Sequence, residues 1–206
     1  MKERPILFNG EMVRAILDGR KTQTRRVIKL PYTVPDGWYP DRYNKEPNWT
    51  FWGPRKSADS GKCMLPTFTC PQGEPGDRLW VRETWGPCEG GFCYRASENP
   101  RALPDDGRWH PSIHMFREAS RITLEIESVR VERVQEITQA DARSEGVESE
   151  DFLNRLEHAA CVAPDGAILP SPRSEFENLW DSINARRGFG WDVNPWVWVI
   201  TFRRVK

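Results

Sequence analysis

Apolar positions along this chain change period several times, and each change marks an element. Val13, Ile16 and Leu17 recur at i, i+3 and i+4 behind Asn9, whose side chain suits a helix start, so a short helix is predicted there. Gly19 ends it, because glycine enters the left-handed region without steric cost. Pro5 to Phe8 before this helix and Thr24 to Ile28 after it read as strands. From Leu30 to about Pro75 the period dissolves into proline, glycine and aromatic residues. Leu79 to Thr84 is the next strand, with Phe92 to Arg95 as its expected hairpin partner, and Ala96 to Ala119 is again irregular. Ile122, Leu124 and Ile126 then alternate with Thr123, Glu125 and Glu127. The apolar phase slips by one residue to Val129 and Val131, the mark of a bulge near Ser128.

Toward the C-terminal part, Thr138 to Asp141 reads as a capping-box start, and Gly146 closes that helix with Glu145 at its tip. A second helix from about Glu150 to Ala160 turns Phe152, Leu153 and Leu156 inward. Ser174 and Glu177 form the capping box of a third, whose stripe is Phe176, Leu179, Trp180 and Ile183. Trp196 to Phe202 is apolar on both faces, which predicts a strand covered on both sides. The fold class is therefore α+β, and a bent β-barrel with short helices packed on it is the economical architecture. A chain of 206 residues makes one domain, 1–206, with an aromatic- and proline-rich insertion at about 30–75. A structureless loop of that length is uncommon in a compact domain. It is either an active-site lid or a surface insertion pinned by its aromatics.

Thirty basic and thirty acidic side chains cancel, so no global field draws the chain onto nucleic acid, and any such affinity must be local. Arg20, Lys21, Arg25, Arg26 and Lys29 cluster early, whereas Asp141, Glu145 and Glu148 cluster late. No apolar run has membrane-spanning length, and the opening residues lack the apolar core of a signal peptide, which predicts a cytoplasmic protein without a membrane partner. In that setting five cysteines point to reduced thiols. Cys63, Cys70, Cys88 and Cys93, with His110 and His114, lack the tight pairs of structural zinc sites, so neither metal nor cofactor is predicted.

Candidate chemistry concentrates in Gly19-Arg20-Lys21-Thr22-Gln23-Thr24-Arg25-Arg26. On the turn before the strand, Lys21 comes within reach of the Thr24 hydroxyl, and an amine beside an alcohol is the material of nucleophilic or general-base chemistry. The bland reading of the same run is a solvated basic turn. Arg82 and Glu83 sit mid-strand between tryptophans, either as an ion pair on an exposed face or with one of them at a pocket; the tryptophans favour the pocket. Of ten tryptophans, Trp180, Trp196 and Trp198 belong to the core, and Trp38, Trp49 and Trp52 are better placed to cover a flat ring. Trp52 joins Arg20, Arg26, Arg82 and Glu83 as the substrate-binding candidates.

The run from Ala15 to Arg26 resembles the opening signature of ASCH-domain proteins, members of the PUA-like superfamily, and most of the chain is similar to longer ASCH-like proteins of phages and prophages. Small bacterial members include an amidohydrolase that deacetylates 4-acetylcytidine. The resemblance implies a PUA-like fold and a catalytic set of Lys21, Thr24 and Glu145, the last matched through the short helix Ala142 to Gly146. It implies a metal-independent amidohydrolase that removes an acyl group from the exocyclic amine of a modified cytidine nucleoside or nucleotide. A non-catalytic module binding RNA or single-stranded DNA is the alternative, and a ribonuclease the third. Two divisions of labour stay open. Neutral Lys21 activates Thr24 while Glu145 handles the leaving-group proton, or Glu145 activates water while charged Lys21 holds the oxyanion and Thr24 orients the substrate. A basic lysine near neutral pH must lose about three pKa units; burial and the arginines push that way, and Glu145 pushes back.

Overall fold

In the computed structural model, which describes residues 1–43, 48–53, 64–97, 103–148, 150–162 and 169–205, the last strand is the centre of the fold. The strands are β1 (Glu3–Leu7), β2 (Gln23–Val27), β3 (Tyr39–Arg42), β4 (Trp49–Trp52), β5 (Arg78–Arg82), β6 (Trp85–Cys88), β7 (Gly91–Tyr94), β8 (Thr123–Arg133) and β9 (Trp196–Arg204). The α-helices are α1 (Gly10–Leu17), α2 (Gln139–Ser144), α3 (Glu150–Val162) and α4 (Pro172–Asn184). β9 is covered on both faces, as its apolar run predicts. Trp198, Ile200 and Phe202 enter one core with Ile6, Phe8 and Leu124; Val197 and Val199 enter another beneath α2 and α4 with Phe176, Trp180 and Trp191.

The main sheet has the order β1-β5-β8-β9-β2, antiparallel except where β1 meets β5. It does not close. Among the described residues no ladder joins β1 to β2, so the predicted barrel is corrected to an open five-stranded sheet. α1 connects the two edge strands in sequence, and a side chain links them where no ladder does. Arg26 Nη2 donates to the Leu7 carbonyl at 2.7 Å, and its guanidinium lies 5.2 Å from the centre of the Phe8 ring. The bulge occurs where the apolar phase slips, with Ile126 opposite Phe202 but Ser128 opposite Thr201.

Other boundaries move for physical reasons. β7 pairs with β6, a strand the periodicity does not show, rather than with β5. α4 begins three residues earlier than the expected Ser174–Glu177 capping box places it, and the box observed is Ser171 with Ser174. Pro172, whose missing N–H costs nothing in the first turn, follows Ser171, whose hydroxyl accepts from the Ser174 backbone N–H at 3.1 Å. Cys88 and Cys93 form a disulfide across the β6–β7 hairpin, which corrects the expectation of reduced thiols; Cys70 is a buried free thiol, and Cys63 lies outside the described residues. No described helix is long and apolar enough to cross a membrane.

The insertion is not structureless. β3 and β4 form a hairpin, and single bridges tie Trp49 to Phe68 and Trp52 to Met64. Phe51 is wholly buried against Trp196 and Phe68, with ring centres at 4.9 and 5.3 Å. The pinned alternative therefore fits the described part. Phe51→Ala is expected to cost about 3–5 kcal/mol of unfolding free energy, read from a urea titration. A loss below about 1 kcal/mol would mean that the hairpin docks loosely and that its aromatics are not core.

Candidate functional site

Two helix ends meet to make the site. Asn9 Oδ1 accepts from the Met12 backbone N–H at 2.8 Å and starts α1, and Gly19 at φ 74° lets the chain turn back at its far end. The Lys21 N–H then donates to the Ala15 carbonyl, which folds Lys21 beneath the helix just left. From the other direction, Thr138 caps α2 in a reciprocal box with Asp141, and Glu145 is the capping residue at the helix's C-terminal end. The two ends touch through the Thr22 N–H, which donates to the Ser144 carbonyl at 2.9 Å, and through a single antiparallel bridge between Lys21 and Glu145. Backbone pairing thus sets the distance between the two side chains.

Lys21 Nζ donates to Glu145 Oε2 at 2.9 Å and to the Glu145 carbonyl at 2.8 Å. Arg25 Nη1 donates to the second carboxylate oxygen at 3.2 Å. The Lys21 side chain is 0% exposed and that of Glu145 3%, so this is an ion triad in the interior. Arg25 also faces Glu132 at 3.3 Å and Asp141 at 3.7 Å, with its guanidinium 5.7 Å from the Phe176 ring centre. Burial pushes the Lys21 ammonium below the ordinary lysine range. The Glu145 carboxylate opposes that shift, and the Arg26 and Arg25 charges add to it. Burial alone would raise Asp141, but the Thr138 hydroxyl and the Arg25 charge outweigh it and hold the carboxyl below its usual range.

Cavities flank Glu145 on two sides. One of about 580 Å³ is lined by Asn9, Arg14, Arg20, Arg155, Glu175 and Gly146 as well as Glu145. The other, of about 220 Å³, is lined by Thr24, Arg25, Arg26, Lys29 and Arg187 with Glu145, over an apolar wall of Phe176, Leu179 and Trp180. Thr24 is buried, and its hydroxyl makes no hydrogen bond to a described residue. Lys21 lines neither cavity. The backbone bridge turns its amine toward Glu145, and no hydrogen bond joins it to Thr24 among the described residues.

The remaining candidates separate. Arg20 lines the larger cavity and braces the turn after α2, donating to the Gly146 and Glu148 carbonyls at 3.3 and 3.2 Å. Arg26 lines the smaller. Arg82, Glu83 and Trp52 line neither. Glu83 is buried in a two-bond ion pair with Arg121, both contacts 2.9 Å, and Arg82 Nε donates to the Met115 carbonyl at 2.9 Å. Trp52 lies beside Tyr43 with ring centres 6.5 Å apart. Sequence reasoning passed over Arg25 and Arg187 as site residues. Arg25 was accessible in principle, since it alternates with Thr24 on a strand next to one covered on both faces.

No family model matches the chain, and no curated protein matches it. Among solved structures it is similar to the high-resolution crystal structure of an ASCH domain from Lactobacillus crispatus JV V101. Sequence identity is 15%, the alignment covers 99% of this chain and 80% of that one, and the TM-score is 0.37. A likeness so loose carries no argument about activity.

Proposed function

We infer that this protein is an ASCH-type amidohydrolase that removes an acyl group from the exocyclic amine of a modified cytidine. The observation that carries the reading is the buried contact between Lys21 and Glu145, 124 residues apart, with Thr24 lining the same cavity as Glu145. Binding alone does not require a desolvated carboxylate clamped by two cations. Glu145 takes a proton from a water that attacks the acyl carbon, while the Thr24 hydroxyl donates to the carbonyl oxygen as it becomes an oxyanion. As the C–N bond breaks, Glu145 returns the proton to the departing amine, leaving a carboxylic acid and cytidine. The leaving group helps, because the ring delocalises the amine's electrons. Lys21 does not touch substrate here; it is a positioning residue whose amine holds the Glu145 carboxylate in place.

An absorbance screen of N4-acylated cytidines tests this. Turnover is expected, with Glu145→Gln slower by about 10²- to 10⁴-fold. An acyl ester trapped on Thr24 would overturn the water mechanism and make Thr24 the nucleophile. No turnover of any acylated cytidine, together with salt-sensitive RNA or single-stranded DNA binding that survives Lys21→Ala, would replace the hydrolase with a binding module.

A further inference from the structure

The smaller cavity is electrically unlike the larger one. In the larger, two of the three arginines are matched, Arg20 with Asp18 at 2.8 Å and Arg155 with Glu175 at 2.8 Å, and Arg14 makes no ion pair with a described residue. In the smaller, Arg25 is offset by Glu145, Glu132 and Asp141, but Arg26, Lys29 and Arg187 make no ion pair with a described residue. Arg26 Nε is buried without a hydrogen-bond partner, although Arg26 Nη2 is committed to Leu7. An arginine N–H left dry and unpaired costs free energy unless a ligand supplies the acceptor. In a chain whose total charge is zero, this concentration of cations without an ion pair is local. There is also a gradient of depth. Thr24, Arg25 and Glu145 are buried, whereas Lys29 and Arg187 are exposed.

We propose that the smaller cavity is a nucleotide site in which Arg26, Lys29 and Arg187 hold a phosphate group on the substrate. This rests on the hydrolase reading and makes it narrower: the substrate is an acylated cytidine phosphate rather than the free nucleoside. With the acyl group at Glu145 and Thr24, the base runs outward along Phe176, Leu179 and Trp180, and the phosphate reaches the exposed cations. Cytidine's exocyclic amine and its sugar leave the ring at opposite ends, so the polarity of the substrate matches that of the cavity. Guanidinium groups suit phosphate because their N–H forks fit two oxygens at once.

The test compares kcat/KM for an N4-acylated cytidine, its 5′-monophosphate and a short RNA carrying the same base. The wild type is expected to prefer a phosphorylated form by roughly 10- to 100-fold. Preference for the RNA over the monophosphate would place the phosphate within a strand. In Lys29→Gln/Arg187→Gln, two exposed positions whose exchange the fold tolerates, the ratio is expected to fall toward one. Equal turnover of all three by the wild type overturns the phosphate site and leaves the hydrolase standing. If none is hydrolysed, the hydrolase reading fails, and titration calorimetry decides the site alone. Tighter binding of cytidine monophosphate than cytidine, levelled by the double variant, supports the phosphate site. Equal binding, or none, overturns it.

Discussion

Glu145→Ala is expected to lower the unfolding free energy by about 3–5 kcal/mol, because it strips a buried ammonium and a buried guanidinium of the carboxylate they share. The attraction within such a triad barely repays the desolvation of its members, but removing Glu145 leaves the Lys21 ammonium buried without an anionic partner, while Arg25 keeps Glu132 and Asp141. Lys21→Met separates stability from activity. It replaces the amine by an apolar chain of similar length and leaves Glu145 on Arg25, so its stability cost is smaller while the carboxylate loses one of its two holders. Stability of the Glu145→Ala variant is also expected to depend on pH. Burial lowers the folded pKa of Lys21, and Glu145→Ala removes the carboxylate charge that opposes that shift. Across the window between the folded and unfolded pKa values the unfolded chain binds more protons, so stability rises as pH rises. Urea midpoints measured from about pH 7 to about pH 10 read the slope, which has the same sign and smaller amplitude in the wild type. A slope that persists when Lys21→Met is combined with Glu145→Ala would assign it to another group.

What was legible in the sequence is what short-range chemistry dictates. Asn9, Gly19, Thr138 and Gly146 each mark a helix end within a few residues, and each end lies where its residue type requires. The bulge and the doubly covered last strand follow from apolar period alone. Features set by distant partners were not legible. The edges of the open sheet are linked by Arg26 reaching Leu7, and no period encodes that contact. Cys88 and Cys93 meet because β6 turns back as β7, whereas the odd cysteine count pointed to free thiols. At the site, resemblance rather than period brought Lys21 and Glu145 together. Spacing suggested Lys21 near Thr24, but the amine bonds to Glu145 and not to the Thr24 hydroxyl. The smaller cavity gathers its cations from β2, from Lys29 beyond it and from Arg187 beyond α4, a convergence that only the fold creates.

Gly146 makes that arrangement possible, and its replacement is the second large effect expected. Its φ of 80° lies in the left-handed region, and a Cβ there would stand 2.8 Å from Ala15 Cβ and 2.9 Å from Lys21 Cβ. Neither neighbour is the end of a flexible chain. Both atoms are rooted in backbone, so relief requires the end of α2 to move away from the end of α1. Gly146→Ala is therefore expected to cost roughly 2–5 kcal/mol, the sum of a left-handed alanine and an overpacked contact. It is expected to reduce turnover as well, since the displaced backbone carries Glu145. Gly19→Ala supplies the contrast: its φ is 74°, but a Cβ there meets nothing within 4 Å. It bears the conformational cost of about 1 kcal/mol and no collision. The difference between the two variants isolates the close approach of the helix ends. Equal losses of stability and activity would show that the junction relaxes freely, and that the contact between α1 and α2 does not set the geometry of the site.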